Sequence, residues 1–176
     1  TRPFHYAWTD PPALLAKQAA LHGQAQSLAR ANPGISGMLA WAGFDYASML
    51  SQRADAVKWA GVADGFRVPK PGASIYQSQG DPAANPVIAP VFFWESGGVF
   101  PAPAPTAMVA SNCEQLKVFI DGRRVTTALP AFDSALYSGL VHPPFLVLLP
   151  QHHPGSKPEL LILGYVGGQQ VAHLRM

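Results

Sequence analysis

The sequence predicts a fold in two parts, an α/β segment followed by an all-β domain, specifically an antiparallel β-sandwich of the immunoglobulin type. The first part shows a helical pattern that a tight turn joins to a short apolar run, which is half of a β/α unit. The second part holds about seven short apolar segments separated by turn residues, the pattern of such a sandwich. Between them, residues 81–86 are rich in Asp, Asn and Pro, so domains are predicted at residues 1–80 and 81–176.

The first helix is predicted to begin at Thr9 or Asp10 and to end at residues 32–34. A side-chain oxygen at its start can accept an orphan backbone N–H, and the prolines at residues 11–12 suit the first turn, where no donor is needed. Gln18 falls away from the apolar stripe. The stripe that is expected to pack inward consists of Leu14, Leu21 and Leu28, which recur every seven residues.

A strand, a loop and a second helix are predicted to follow. Residues 35–41 are short, apolar and continuous, as expected of a strand that is covered on both faces in a parallel sheet. Residues 47–64 have no clean period, which indicates a long loop at a rim with at most one helical turn. Pro69 and Pro71 then mark a helix start, with a short helix over residues 73–79.

The second part is predicted to consist of strands and tight turns. Asp-Gly at residues 121–122 and Gly-Gly at residues 167–168 suit two-residue hairpins, because both turn positions need positive φ. The Pro-rich residues 100–106 indicate a stiff extended connection. The predicted strands cover residues 87–94, 107–111, 116–120, 124–127, 145–149, 160–166 and 170–175.

The composition excludes several classes of function. With 48% apolar and only 12% charged residues, the chain can bury a sizeable core. Its formal charge of +2 is spread without a Lys or Arg cluster, so neither nucleic acid nor an anionic membrane is predicted as a partner. No apolar run reaches the ~18 residues of a membrane span, and the first twelve or so residues lack the pattern of a secretory signal. The composition leaves the cellular compartment open.

No metal or cofactor is predicted. Cys113 is the single cysteine, so it cannot form an internal disulfide or a thiolate metal site, and it is expected to pack as a small apolar side chain. His142, His152 and His153 lie near prolines in a predicted loop, a setting that does not favour metal binding. The nucleophile-elbow pattern of a serine hydrolase is absent from the sequence.

Several stretches of the first half resemble a known family. They are W-x-x-x-D-Y at residues 41–46, KWAGVADGFRVPKP at residues 58–71 and YQSQ at residues 76–79. These stretches resemble the last segment of the catalytic barrel in the glycoside hydrolases of family two, the β-galactosidase and β-glucuronidase group.

The second half supports the same resemblance. Its stretches VFFWESGG at residues 91–98, SNCEQLKVFIDGRRV at residues 111–125 and ELLILGYVGGQQVA at residues 159–172 are similar to the immunoglobulin-like domain that follows the barrel in many bacterial members. The resemblance therefore implies the last β/α units of a TIM barrel, followed by one immunoglobulin-like sandwich.

The resemblance also implies a chemistry that this chain does not complete. Members of the family are retaining glycosidases, which use two Glu carboxyl groups about 5 Å apart. The three glutamates here, Glu95, Glu114 and Glu159, all fall in the sandwich half, and none matches a catalytic position. No catalytic residue is therefore predicted in the chain. It resembles the C-terminal portion of an exo-β-glycosidase, most simply a β-galactosidase, and would be inactive alone.

Three residues are expected to form part of a sugar subsite. Trp41 ends the presumed eighth barrel strand, at the face where barrel active sites lie. The resemblance implies that Trp41 is the floor of this subsite and that a cis peptide bond joins it to Ala42; the alternative is a core tryptophan. Asp45 and Tyr46 follow directly. The carboxylate of Asp45 is expected either to accept hydrogen bonds from sugar hydroxyls or to cap neighbouring backbone N–H groups.

Asp64, Arg67 and Lys70 are expected to support the loop. An ion pair of Asp64 with Arg67 would pin the loop, and contact with substrate is the alternative. The Asn-x-Lys motif that reads the sugar carboxylate in the glucuronidase branch is absent here, which favours a neutral sugar. The predicted partners are a carbohydrate substrate of β-galactoside type and either the rest of the parent glycosidase or a second copy.

A second function from another class stays open at this point. The chain could be a non-catalytic carbohydrate-binding or structural accessory module.

Overall fold

The computed structural model describes residues 6–51, 54–95, 98–100, 106–150 and 156–176. The described chain contains two helices and a set of short, mainly antiparallel strands. In chain order these elements are α1 (Pro12–Ala31), β1 (Tyr46–Ala47), β2 (Val57–Lys58), α2 (Pro71–Gln77), β3 (Ile88–Pro90), β4 (Phe93–Glu95), β5 (Gly98–Phe100), β6 (Thr106–Ser111), β7 (Gln115–Ile120), β8 (Arg123–Ala128), β9 (Phe145–Leu148), β10 (Leu160–Val166) and β11 (Gln169–Arg175).

Helix α1 begins without the side-chain cap that the sequence predicted. The N-cap position is Pro11, and no side chain accepts a backbone N–H of the first turn. The carboxylate of Asp10 instead accepts a hydrogen bond from the backbone N–H of Ala7 at 2.8 Å. The prolines in the first turn suffice to start the helix, because their missing N–H would be unpaired there in any case.

The inward face of α1 also differs from the prediction. Leu21 and Leu28 are exposed, and the buried residues are Leu15, Gln18, Ala19, Gly23, Ser27 and Ala29. Gln18 is buried because its amide nitrogen donates to the carbonyl oxygens of Ala60 and Gly61, at 3.2 and 2.9 Å. A helix face made largely of small residues lets neighbouring segments approach the backbone closely, and this outweighs the burial of larger leucines.

Residues 35–41 do not form the predicted strand. Of residues 35–41, only Met38 is half-buried, and Leu39 and Trp41 are 99% and 72% exposed, so little of the segment is covered. A strand needs a neighbour to pair its N–H and C=O groups, and no described segment runs alongside this one. Within the predicted rim loop at residues 47–64, β1 and β2 form a short antiparallel ribbon in which Tyr46 pairs with Lys58.

The second half forms two antiparallel sheets and a hairpin. The strand orders are β11-β10-β7-β8 and β3-β6-β9, and β4 pairs with β5. One hydrophobic core joins the two sheets, because buried side chains of β7 and β10 pack in one cluster with those of β6 and β9. Its most deeply buried members include Val109, Leu116, Val118, Phe145, Val147, Leu160 and Ile162.

The turns and strands of this half match the sequence in most places. Asp121 and Gly122 have φ of 47° and 74°, and Gly167 and Gly168 have φ of 56° and 78°, so both hairpin turns are confirmed. The predicted strand at residues 87–94 is divided into β3 and β4. Between them the chain bends at Val91 and Phe92, which are both buried. Most of the Pro-rich connection lies outside the described residues.

A polar network ties the helices to the sandwich half. The segment that precedes β9 packs on α1, where the backbone N–H of Gly139 donates to Ser27 Oγ at 3.0 Å and Arg30 Nε donates to the Gly139 carbonyl at 3.2 Å. The amide of Gln79 exchanges two hydrogen bonds with the backbone of His142.

Cys113 is buried as expected, and none of the described helices is long and apolar enough to cross a membrane.

Candidate functional site

Two loops form the candidate site. Residues 41–47 run beside residues 57–64, and backbone hydrogen bonds join them: the N–H of Val62 donates to the Ala42 carbonyl, and the N–H of Asp45 donates to the Ala63 carbonyl, both at 3.0 Å. Gln18 of α1 binds the second loop from below through two of its carbonyl oxygens. Hydrogen bonds at several points therefore fix the backbone from which the side chains of this site project.

Trp41 and Tyr46 form an exposed aromatic pair at the end of this frame. The indole nitrogen of Trp41 donates to the Tyr46 hydroxyl at 2.8 Å. Their rings meet edge to face, with centroids 6.2 Å apart and an interplanar angle of 73°. The cis peptide bond between Trp41 and Ala42 is present. The Trp41 side chain is 72% exposed, so the described residues leave its ring largely uncovered.

Asp45 lies directly behind this pair in a buried ion pair. The ammonium group of Lys70 is 2.7 and 2.6 Å from the two carboxylate oxygens, and the two side chains are 0% and 1% exposed. The backbone N–H of Gly61 also donates to the carboxylate, at 2.9 Å. Burial raises the pKa of Asp45 and lowers the pKa of Lys70, and the attraction between the two charges opposes both shifts. In this structure Asp45 is therefore out of reach of a sugar hydroxyl.

Asp64 organises the next turn of the chain. Its carboxylate accepts hydrogen bonds from the backbone N–H groups of Phe66 and Val68, both at 2.9 Å, and from the indole of Trp8 at 3.1 Å. Desolvation would raise the pKa of Asp64, but these hydrogen bonds outweigh it and hold the pKa below the ordinary value. The expected Asp64–Arg67 ion pair does not form within the described residues. The Arg67 guanidinium instead lies over the Phe44 ring, 4.7 Å from its centroid.

A cleft of about 290 Å³ opens between α1 and the segment that carries Trp41. Tyr6, Gln18, His22 and Met38 line it together with Trp41. His22 Nδ1 is 2.7 Å from the Tyr76 hydroxyl, and the two rings meet edge to face. Burial lowers the pKa of His22 below 6.5. Sequence reasoning missed His22 and Gln18, because their partners lie 54 and about 40 residues away.

The shifted pKa of His22 predicts a pH dependence of stability. The unfolded chain binds the proton first as the pH falls, because the folded pKa is the lower one. The free energy of unfolding is therefore expected to decrease as the pH drops below about 6.5, until the folded pKa is reached.

Urea unfolding of the wild type and of His22→Asn between pH 5 and 8 measures this effect. The pH slope should become smaller in His22→Asn and should persist in His173→Asn, whose histidine is exposed on β11. An identical slope in all three proteins would contradict the assignment.

The described residues contain no group of three His, Cys, Asp or Glu side chains that could hold a metal ion. His152 and His153 lie outside the described residues. The two glutamates with described side chains have structural partners: Glu114 accepts a hydrogen bond from the N–H of Gly167 at 2.7 Å, and Glu159 lies 3.4 Å from Arg175.

The curated proteins that are similar to this chain are β-galactosidases. No protein-family model matches the chain. It is 30% identical over 165 residues to a β-galactosidase of Rhizobium meliloti, and the aligned region covers 82% of this chain and 20% of that protein. It is 29% identical over 147 residues to a β-galactosidase of Thermoanaerobacterium thermosulfurigenes, with coverages of 80% and 19%. The chain thus spans about one fifth of the length of these curated relatives.

Solved structures share the fold. A β-glucuronidase of Bacteroides uniformis superposes with a TM-score of 0.66 at 19% identity, over 90% of this chain and 19% of its own. A putative β-galactosidase of Bacteroides fragilis superposes with a TM-score of 0.69 at 16% identity, over 92% of this chain and 22% of its own.

Proposed function

Since this chain resembles the C-terminal part of the glycoside hydrolases of family two, the β-galactosidase and β-glucuronidase group, we propose that it is a portion of a retaining exo-β-glycosidase of β-galactosidase type. The observation that carries the proposal is the similarity to curated β-galactosidases over about four fifths of the chain. The parent enzyme would hydrolyse O-glycosidic bonds, and this chain would supply part of the subsite for the sugar that is cleaved.

The architecture follows from the same likeness. Residues 1–80 would be the end of a TIM barrel, and residues 81–176 would be an immunoglobulin-like sandwich. The exposed, unpaired segment at residues 35–41 supports this division, because a barrel strand would find its neighbours in other parts of the parent protein. Exposed apolar side chains on the same half, Leu39, Met49 and Leu50, would then be covered by those parts.

Trp41 would be the platform for the sugar. An aromatic face can stack on the C–H face of a pyranose, and the Trp41 ring is both exposed and fixed by its hydrogen bond to Tyr46. Tyr46 would orient the platform. The ion pair of Asp45 and Lys70 would hold the loop behind it, rather than touch the substrate.

The catalytic carboxyl groups would lie elsewhere in the parent. Retaining hydrolysis needs a nucleophile and an acid/base about 5 Å apart, and Glu114 and Glu159 are engaged in the sandwich half at exposed positions. The chain alone would therefore bind a β-galactoside weakly and would not hydrolyse it.

Titration of the chain with methyl β-D-galactoside tests the role of Trp41. The chain can be labelled with 5-fluorotryptophan, whose ¹⁹F resonances report separately on Trp8, Trp41, Trp59 and Trp94. We expect the Trp41 resonance to shift on binding, and Trp41→Ala to weaken affinity about tenfold or more. Phe132→Ala, which removes an exposed aromatic ring from the other half of the chain, should leave affinity unchanged.

Three outcomes would contradict the proposal. Hydrolysis of the galactoside by this chain would contradict the proposal that its catalytic carboxyl groups lie elsewhere in the parent enzyme. Affinity that survives Trp41→Ala would favour the non-catalytic carbohydrate-binding module, with its site elsewhere on the chain. No affinity at any accessible concentration would remove the sugar-platform role.

A further inference from the structure

A second cleft lies beside Tyr46 and shares no lining residue with the one beside α1. It has a volume of about 370 Å³. Four aromatic side chains line it: Trp8, Tyr46, Trp59 and Phe66. They come from four separate segments of the chain, so the cleft is built by the fold. Tyr46 adjoins the proposed sugar platform through its hydrogen bond to Trp41.

The rings of this cleft are held in place by carboxylates. The indole nitrogen of Trp8 donates to Asp64 at 3.1 Å, and the indole nitrogen of Trp59 donates to Asp55 at 2.9 Å. Asp64 also binds the backbone N–H of Phe66 at 2.9 Å and so fixes the turn that presents this residue. Aromatic side chains that are already held in one orientation lose little conformational entropy when a ligand stacks on them.

Phe66 is the most exposed aromatic residue of this cleft. Its side chain is 92% exposed. The backbone around it is constrained, because the N–H of Arg67 donates to the Asp64 carbonyl at 3.0 Å and Arg67 has a positive φ of 69°. The turn thus holds a phenyl ring in solvent at the edge of the cleft, where a ligand in the cleft buries its apolar surface.

The polar groups of the cleft are largely occupied. The Asp45 carboxylate is bound by Lys70 and by the N–H of Gly61. The Asp64 carboxylate already accepts three hydrogen bonds. A second sugar ring would leave most of its hydroxyls without partners here, whereas an aromatic group would meet aromatic and aliphatic surface. The lining therefore favours an apolar, planar ligand over a saccharide.

We propose that this cleft receives the apolar aromatic aglycone of a β-glycoside whose sugar stacks on Trp41. This assignment rests on the proposed glycosidase function. The volume fits this occupant, because an apolar cavity of about 150 Å³ is enough for a benzene ring. A cleft of about 370 Å³ accommodates a bicyclic aglycone. The parent enzyme would then prefer aryl glycosides to alkyl glycosides and to oligosaccharides.

Two ligands that share one sugar test the assignment. The 5-fluorotryptophan-labelled chain is titrated with phenyl β-D-galactoside and, separately, with methyl β-D-galactoside. Both should shift the resonance of Trp41, and only the phenyl glycoside should shift those of Trp8 and Trp59. Trp94 donates to the Pro158 carbonyl in the sandwich half and serves as an internal reference. The phenyl glycoside should bind about tenfold more tightly.

Matched variants separate this cleft from the sugar subsite. Phe66→Ala should reduce the preference for the phenyl glycoside to about threefold or less and leave the affinity for the methyl glycoside unchanged. Phe132→Ala, also an exposed phenylalanine, should change neither.

Equal affinities for the two ligands with a shift only at Trp41 would overturn the aglycone cleft and leave the sugar platform intact. A phenyl preference that Phe66→Ala and Trp59→Phe both leave unchanged would also overturn the assignment. Binding of neither ligand would overturn the sugar platform and the aglycone cleft together.

Discussion

Replacement of Lys70 by Met is expected to lower the free energy of unfolding by about 3–5 kcal/mol. The ammonium group and the Asp45 carboxylate are both almost completely buried. Removal of one charge leaves the other in the protein interior without its counterion, and desolvation of that lone charge dominates the loss. Chemical unfolding followed by far-UV circular dichroism measures the effect.

An exposed ion pair provides the control for Lys70→Met. Arg175 and Glu159 lie 3.4 Å apart with side chains that are 65% and 45% exposed. Arg175→Met should cost less than about 1 kcal/mol, because solvent screens that pair. The double variant Asp45→Asn/Lys70→Met should be more stable than Lys70→Met alone, since it removes the lone charge. Equal losses for Lys70→Met and Arg175→Met would contradict the buried ion pair.

Replacement of Gly139 by Ala is expected to lower the free energy of unfolding by about 3 kcal/mol, at the upper end of the usual cost of overpacking. A methyl group at this position would overlap the carbonyl oxygen of Ser27, closer than the 3.0 Å that Cβ atoms essentially always keep. The overlap is with helix backbone, which cannot rotate away. It would separate α1 from the segment before β9 and break the hydrogen bonds that Gly139 makes with Ser27 and Arg30.

Gly37 offers the matched control for Gly139→Ala. A Cβ at Gly37 meets nothing within 4 Å, so Gly37→Ala should change the free energy of unfolding by less than about 0.5 kcal/mol. Denaturant titrations of both variants measure the difference. A Gly139→Ala protein as stable as Gly37→Ala would show that the sandwich half does not pack on α1 in solution as described.

The sandwich half was predictable because its signals are local. Alternation of burial along β7, with Leu116, Val118 and Ile120 inside, follows from the period of a strand. The Asp121-Gly122 turn follows from the positive φ that its two positions require. Neither depends on a distant partner, so the sequence reading and the structure agree there.

The first half was harder to predict because its outcome depends on partners far along the chain. Residues 35–41 have the composition of a buried strand, but a strand forms only where another segment pairs with it. Gln18 of α1 faces inward because it donates to carbonyl oxygens some 40 residues along the chain. The spacing of the leucines cannot predict these contacts. A continuous apolar run and a seven-residue repeat are therefore weak guides without their neighbours.

The candidate site was predicted in part. Trp41 and Tyr46 are brought together as an exposed pair, and the cis peptide bond after Trp41 was expected from the resemblance to family-two enzymes. Asp45 accepts a backbone N–H, from Gly61, as one of its two expected roles required. Its ion pair with Lys70 was not predicted, because the two residues lie 25 positions apart. One signal was available: a lysine between two prolines, directly before the uncharged stretch at residues 71–80.

Sequencing of the coding region upstream of residue 1 tests most directly the claim that this chain belongs to a larger β-glycosidase. We predict a continuous reading frame that encodes repeated β/α units, with glutamates at the ends of the fourth and seventh barrel strands to supply the two catalytic carboxyl groups. A reading frame that begins at residue 1, or one whose upstream units lack these two glutamates, would contradict the claim.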